Sequence, residues 1–302
     1  MYKVFNLKLE NGKKGIENIN EDIFAQFNSK SFIEENFSGI MDAIRELFPV
    51  FPNNDYNGGY NNFENWFYQN YGNISVTKIK NVLSKLKKFD IFVSHAHKDE
   101  TLAIKFAYLS HKELHLNCFI DSIYWKNFND LVDERIRDLK NLKYIDPQDE
   151  EQYIRTLTTY GNINLQIALS EIMNNCESLF FLNTNNSIKY INLPKESTIS
   201  YTNWIFYEIY TASTMQRKVP YRIKKISCEN VVENNYSMDV NNWSVIDFEI
   251  IEQLMTYSNH KNCFCDYCID FFYRHICIRK NKFFRCLLRR NTILDILYDI
   301  VE

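Results

Sequence analysis

The stretch FDIFVSHA, residues 89–96, is the clearest indication of the fold class of this chain. Its apolar run of strand-forming residues is typical of a strand buried on both faces of a parallel sheet. The segments CFID at 118–121 and SLFFLN at 178–183 predict two more such strands. Helical patterns separate them: one follows Asp99, a residue that can cap a helix, and one runs over 165–176. This alternation predicts an α/β fold whose ligand crevice lies beyond the carboxyl ends of the strands.

Three zones are expected along the chain. Residues 1–87 carry helical patterns around a turn-rich stretch and predict an N-terminal helical subdomain. Residues 88–227 form the α/β core, interrupted at 122–162 by a polar segment that we interpret as an elaborated loop with some helix. A further strand is predicted at 221–226. Residues 228–302 are expected to form a helical C-terminal extension.

Composition excludes several classes of protein. The chain has 302 residues, 45% of them hydrophobic, which is enough to bury a sizeable core. Its net charge of −3 argues against a surface devoted to nucleic acid, so a nucleic-acid partner is not expected. With only 7 glycines, the chain contains neither G-x-G-x-x-G nor G-x-x-x-x-G-K-[ST]. A classical dinucleotide-binding fold and a P-loop nucleotidase are therefore excluded.

Three features of the sequence predict the compartment in which the protein works. The N-terminal residues show no cationic stretch followed by an apolar run, and no window approaches the 18 or so apolar residues of a membrane span. The 8 cysteines are most simply interpreted as reduced thiols. We therefore expect a cytoplasmic protein with no membrane partner.

A series of segments, taken in order, resembles a known family. FDIFVSHA is followed by the charged residues at 98–100, then by CFID, by SLFFL and by SYTNWIFYEI at 200–209. This order resembles the Toll/interleukin-1 receptor (TIR) domain family, especially its bacterial members, over roughly residues 88–226. The resemblance implies a flavodoxin-like core: a parallel sheet flanked by helices.

The resemblance also implies an activity. Many TIR domains cleave the nicotinamide–ribose bond of NAD+, as NAD+ nucleosidases or ADP-ribosyl cyclases, with NAD+ as substrate and no further cofactor. The family's catalytic glutamate is matched by Glu208, and Trp204 lies one helical turn earlier on the same helix face. By resemblance, the role would be antiphage (antiviral) defence, through NAD+ depletion or a cyclic ADP-ribose-like signal. Partners would be other copies of the TIR domain, an upstream sensor or a downstream effector.

Further residues are expected to line the nucleotide pocket. The family uses the end of the first strand and the loop after the second strand. Here these positions are Ser94, His95 and Asp99, followed by Asp121. Trp125 stands in for an aromatic residue that many relatives carry directly after that aspartate, so the loop departs from the family pattern.

Two other functions remain open. A TIR fold can serve as a non-catalytic adaptor that only binds other TIR domains. The triplet His95, His97 and Asp99 also resembles the first part of the H-x-H-x-D-H motif of zinc-dependent hydrolases, although Glu100 stands where the next histidine belongs.

The C-terminal zone carries two more patterns. Cys263, Cys265, Cys268 and His275 have the ligand types of a structural zinc site, but a second C-x-x-C pair is absent and free thiols are the favoured interpretation. Residues 271–290 interleave aromatic and basic side chains. Contact with nucleic acid, an anionic membrane or an acidic partner is one interpretation, and an amphipathic helix with a solvated basic face is the favoured one.

Overall fold

The computed structural model describes a defined part of the chain. The described residues are 3–8, 29–36, 46, 65, 76–84, 88–123, 133–134, 136–138, 140, 148, 150–189, 199–200, 203–216, 218, 244–248, 250–251, 294 and 297–298. The strands are β1 Lys3–Lys8, β2 Ile91–Ser94, β3 Cys118–Ile120, β4 Ser178–Asn183, β5 Ile188–Lys189, β6 Ile199–Ser200 and β7 Ser244–Asp247. The helices are α1 Val76–Leu83, α2 Glu100–Leu114, α3 Glu150–Asn175 and α4 Asn203–Thr214. A short 3-10 turn, His97–Asp99, precedes α2.

Five of these strands form one all-parallel sheet in the order β3-β2-β4-β1-β7. Strands β5 and β6 pair separately as a two-stranded antiparallel ribbon. The predicted α/β class, with a parallel sheet flanked by helices, is confirmed. The predicted strands at 89–94, 118–121 and 178–183 correspond to β2, β3 and β4.

The sequence analysis missed strand β1. We expected residues 1–87 to form a helical subdomain, but residues 3–8 lie inside the sheet, where β1 pairs with β4 on one side and with β7 on the other. The correction has a physical cause. In KVFNLK the polar residues Lys3, Asn6 and Lys8 interrupt the apolar pattern, and the pairing partner β4 lies more than 170 positions away.

Strand β4 directs side chains to two faces of the sheet. Because paired residues of parallel strands point to the same side, Phe5, Phe180 and Val93 share one face, named here the Phe180 face. Asn6, Phe181 and Ser94 share the other, the Ser94 face. Helix α2 packs on the Phe180 face, where the Phe106 and Phe180 ring centroids lie 5.7 Å apart.

The polar segment 122–162 is in part the beginning of a long helix. Helix α3 starts at Glu150 and contains the predicted amphipathic pattern, whose residues from Leu165 to Met173 are buried. Two compact units divide the chain: Met1–Phe27, Phe89–Ile120 and Met173–Glu302 form one, and Asn28–Lys88 and Asp121–Ile172 form the other. In the second unit, Ile79 and Val82 of α1 form a buried cluster with Ala168.

Other predicted elements fall outside the description. The predicted strand at 221–226, the cysteine cluster and the basic aromatic segment 271–290 all lie outside the described residues. None of the helices in the described part of the chain combines the length and hydropathy needed to cross a lipid bilayer.

A single C-terminal tyrosine anchors the amino end of the sheet. Tyr298 is 2% exposed and stacks on the Phe5 ring at a centroid distance of 6.0 Å. Its hydroxyl donates to Glu177 Oε1 at 2.7 Å and lies 2.7 Å from Ser178 Oγ, at the start of β4. The Lys3 ammonium lies 5.8 Å from the centre of the same ring. Tyr298 therefore joins the ends of β1 and β4.

We predict that Tyr298→Phe lowers the free energy of unfolding by about 1–3 kcal/mol, because Ser178 and Glu177 lose a buried partner while the ring packing is kept. Urea unfolding followed by circular dichroism measures this change. Tyr210→Phe is the matched control, since Tyr210 is 49% exposed and its loss of a hydroxyl should leave stability unchanged. Equal stability of the two variants would contradict the anchoring role.

Two buried thiols flank the central strands. Cys118 begins β3 and Cys176 precedes β4; both are free and buried. Burial raises the pKa of the Cys118 thiol from 9.0 to about 12. Burial likewise raises the pKa of Cys176. Both side chains remain protonated thiols near neutral pH.

We predict that iodoacetamide at pH 8 alkylates Cys118 and Cys176 at least about 100-fold more slowly in the folded protein than in urea, because the thiolate is the reactive form. Peptide mass spectrometry separates these sites from the other cysteines. Since the folded pKa of Cys118 exceeds its unfolded value, this thiol also makes stability fall as pH rises from about 9 toward 12. Equal alkylation rates in both states would contradict the burial of these thiols.

Candidate active site

The sheet topology determines where a ligand crevice lies. From β2 the chain crosses to β3 on one side of β2 and then returns to β4 on its other side. The strand order therefore reverses between β2 and β4, and open parallel sheets bind ligands outside the carboxyl ends of the strands at such a point. The residues that follow β2 and β4, from Ser94 and from Asn183 onward, are the candidates for the site.

At this point a serine and a glutamate are in contact. Ser94 is the last residue of β2, and Glu208 lies in α4, 114 positions away. The Ser94 hydroxyl donates a short hydrogen bond to Glu208 Oε2. Both residues are 1% exposed. A carboxylate removed from water is costly unless it is hydrogen-bonded, and a bond to a charged acceptor is among the stronger ones, so this contact is a specific feature of the fold.

The next residue, His95, is also buried. It is 4% exposed, and its Nδ1 lies 3.3 Å from the Val93 carbonyl oxygen. His97, two positions later, is exposed on the 3-10 turn. The two histidines thus differ in their exposure, and His95 is the one that directly follows Ser94 in the chain.

The Asp99 side chain makes hydrogen bonds that the sequence did not predict. It occupies the position before α2, but its side chain makes no hydrogen bond to the backbone of that helix. Instead, its Oδ2 accepts from Thr184 Oγ1 at 2.5 Å and its Oδ1 accepts from Asn186 Nδ2 at 2.6 Å. Asp99 is thus the N-cap residue of α2, as predicted, but its side chain does not supply the capping hydrogen bond. Asp99, 7% exposed, joins the loop after β2 to the loop after β4.

The loop after β4 is a compact polar turn. The Thr184 amide donates to Ser187 Oγ at 2.9 Å, and the Ser187 amide donates to the Thr184 carbonyl at 3.1 Å. The Asn186 amide donates to Thr184 Oγ1 at 3.1 Å. Sequence reasoning missed these residues. The polar run NTNNS at 183–187 could have indicated them, because it begins at the last residue of a predicted strand. Parallel sheets have their ligand-binding loops at that end of the strands.

The remaining predicted site residues are placed as follows. Asp121 directly follows β3 and is 5% exposed. Trp204 belongs to α4, one turn before Glu208, but its side chain is outside the description. Trp125, Cys263, Cys265, Cys268 and His275 lie outside the described residues. The structure thus brings Ser94 and Glu208 into contact and ties Asp99 to the turn after β4.

Metal-ligand residue types are present in the described part of the chain but do not cluster. In that part, no three His, Cys, Asp or Glu side chains gather in an arrangement that could hold a metal ion. The H-x-H-x-D triplet lies entirely within this part of the chain. There, His97 is exposed and both Asp99 carboxylate oxygens accept hydrogen bonds from the turn after β4.

Comparison with protein-family models, with curated proteins and with solved structures found no match to this chain.

We predict that Asp99→Asn lowers the free energy of unfolding by about 1–3 kcal/mol, because an amide nitrogen replaces one of two acceptor oxygens and faces a donor from Thr184 or Asn186. Thermal and urea unfolding measure the loss. Glu100→Gln is the matched control: it removes one negative charge at the adjacent position of α2. If both variants unfold alike, the two hydrogen bonds of Asp99 do not hold these loops together.

Proposed function

We propose that this protein is a TIR-type NAD+ nucleosidase or ADP-ribosyl cyclase, and that Glu208 is its catalytic residue. The observation that carries the proposal is the hydrogen bond between Ser94 and Glu208 at the reversal point of the sheet. The motif at 89–96 and the Trp204-to-Glu208 helix come from distant parts of the chain, and the fold brings a residue of each together where parallel sheets bind ligands.

The chemistry suits a single carboxylate. Nicotinamide leaves NAD+ as a neutral group, so its departure needs no general acid. Positive charge then develops on the ribose, and a carboxylate at that position stabilises it electrostatically or traps it covalently. We propose that Ser94 orients Glu208 and, as the resemblance implies, that Trp204 stacks on the nucleotide. The resemblance gives four further nucleotide-binding positions: His95, Asp99, Asp121 and Trp125. Water, or an acceptor within the substrate, decides between ADP-ribose and a cyclic product.

Regulation of the activity is proposed from the family resemblance. Glu208 is 1% exposed in the single chain. As for the family that the sequence resembles, we expect the activity to depend on assembly of several copies or on an upstream sensor. In the cytoplasmic antiphage role proposed here, that trigger would start NAD+ depletion or release of a cyclic ADP-ribose-like signal to an effector.

An adaptor without catalysis is the second candidate, and it has an observation in its favour. On α4, Phe206 is 55% exposed and Tyr210 is 49% exposed, one helical turn apart. Exposed aromatic pairs on a helix are typical of surfaces that bind proteins. An adaptor would use this surface while Glu208 stays buried as part of the structure.

We predict that Glu208→Gln lowers the rate of nicotinamide release from NAD+ by at least about 1000-fold, because the amide cannot stabilise the ribosyl cation. Purified protein is incubated with NAD+ at increasing protein concentrations, and products are separated by chromatography. Glu171→Gln is the control: Glu171 is a partly exposed carboxylate that forms an ion pair with Lys80 at 3.2 Å.

The outcomes separate the two functions. Glutamine keeps the shape of the side chain and accepts a hydrogen bond from Ser94, so Glu208→Gln should fold like the wild-type protein. Full activity in that folded variant would overturn Glu208 as the catalytic residue. No nicotinamide release by the wild-type protein at any concentration, together with self-association that Phe206→Ala weakens, would favour the adaptor.

A further inference from the structure

The unexpected strand β1 extends the carboxyl edge of the sheet beyond the candidate active site. It lies next to β4, between β4 and β7, and contributes its last residue, Lys8, to this edge. No TIR resemblance covers β1, because the resembling segments begin near residue 88. The N-terminal strand therefore adds side chains to the crevice that the motif at 89–96 does not predict.

The register places these side chains on the face that carries the Ser94–Glu208 contact. Ser94 pairs with Phe181, and Phe181 pairs with Asn6, so Ser94 and Asn6 share the Ser94 face. Side chains two positions on return to the same face, which puts Asn183 and Lys8 there as well. Asn183 Nδ2 donates to Asn6 Oδ1 at 2.9 Å, which confirms that these two side chains meet.

Lys8 supplies a positive charge to this row. Its side chain is partly buried, and it forms no ion pair within the described part of the chain. Asp247 is opposite Lys8 in the register of β1 with β7, but it is exposed and is not joined to Lys8 by a salt bridge. At the Ser94 end of this row of side chains lies the Glu208 carboxylate. A carboxylate repels an anionic ligand unless a cation balances its charge.

We propose that Lys8 binds the diphosphate of a nucleotide ligand whose ribose lies at Glu208. This inference rests on the proposed function, since it takes the dinucleotide NAD+ as the substrate. Two strand spacings and two residue rises separate Ser94 from Lys8, so their Cα atoms lie about 12 Å apart. An extended dinucleotide spans that distance, with one ribose at Glu208 and its phosphates toward β1. The amides of Asn6 and Asn183 lie between the two ends.

The test measures ADP binding to the full-length protein by isothermal titration calorimetry, which needs no turnover. Lys8→Met should weaken ADP binding about tenfold or more, because one charge-assisted contact is lost. Lys8→Arg keeps the charge and should bind ADP within about threefold of the wild-type protein. Lys88→Met is the matched control, since Lys88 is an exposed lysine that precedes the opposite, amino end of β2. Adenosine, which has no phosphate, should bind wild type and Lys8→Met equally.

Two results would overturn the proposal: ADP affinity that is the same in Lys8→Met and wild type, or no ADP binding by wild type up to about 1 mM. NAD+ cleavage is assayed on the same samples. If the protein cleaves NAD+ but Lys8→Met binds ADP as tightly as the wild-type protein, the proposed nucleosidase activity is supported and the proposed Lys8 contact is wrong. If ADP binding depends on Lys8 but the protein does not cleave NAD+, the nucleotide site at Lys8 is supported and the proposed nucleosidase activity is wrong. Unfolding temperatures of all variants exclude misfolding as the cause.

Discussion

Strand β4 hydrogen-bonds to β1 along one side and to β2 along the other, and these two ladders organise the described fold. The register of β4 with β2 places Ser94 at the carboxyl edge, where the strand order reverses. The register of β4 with β1 places Asn6 and Lys8 on the same face. Since a shift of one residue turns every side chain of a strand to the opposite face, the candidate site depends on this register.

Two buried polar contacts then connect the loops around the carboxyl edge. The Ser94 hydroxyl donates a hydrogen bond to Glu208 of α4, and the Asp99 carboxylate accepts two hydrogen bonds from the turn at 184–187. Buried carboxylates are costly without partners, so each contact favours one arrangement of its loops over others. The same two contacts explain why Asp99 and Glu208 differ in proposed role. Both oxygens of Asp99 serve the protein itself, whereas Glu208 accepts its bond from the residue that ends β2.

Local patterns were sufficient for some elements and insufficient for others. Strands β2 and β4 are apolar runs, and the sequence next to each run has the periodicity of a helix. The observed bounds of both strands lie within a few residues of the predicted ones. Strand β1 lacks such a run, because Lys3, Asn6 and Lys8 are polar, and its burial depends on a partner far along the chain. The hydrogen bonds of Asp99 were not predicted for a related reason: its position before α2 is local information, whereas Thr184 and Asn186 reach it only in the folded chain.

Apolar periodicity, a local property, was enough to predict the α/β class and the strand that ends at Ser94. Glu208 was singled out only through the resemblance to the TIR family. Tertiary structure decided the order of strands in the sheet, the contact between Ser94 and Glu208, and the place of Lys8 on their face. The ladders of β4 with β1 and β2, and the Ser94–Glu208 contact, join residues more than 80 positions apart, and such pairings leave no periodic trace in the chain.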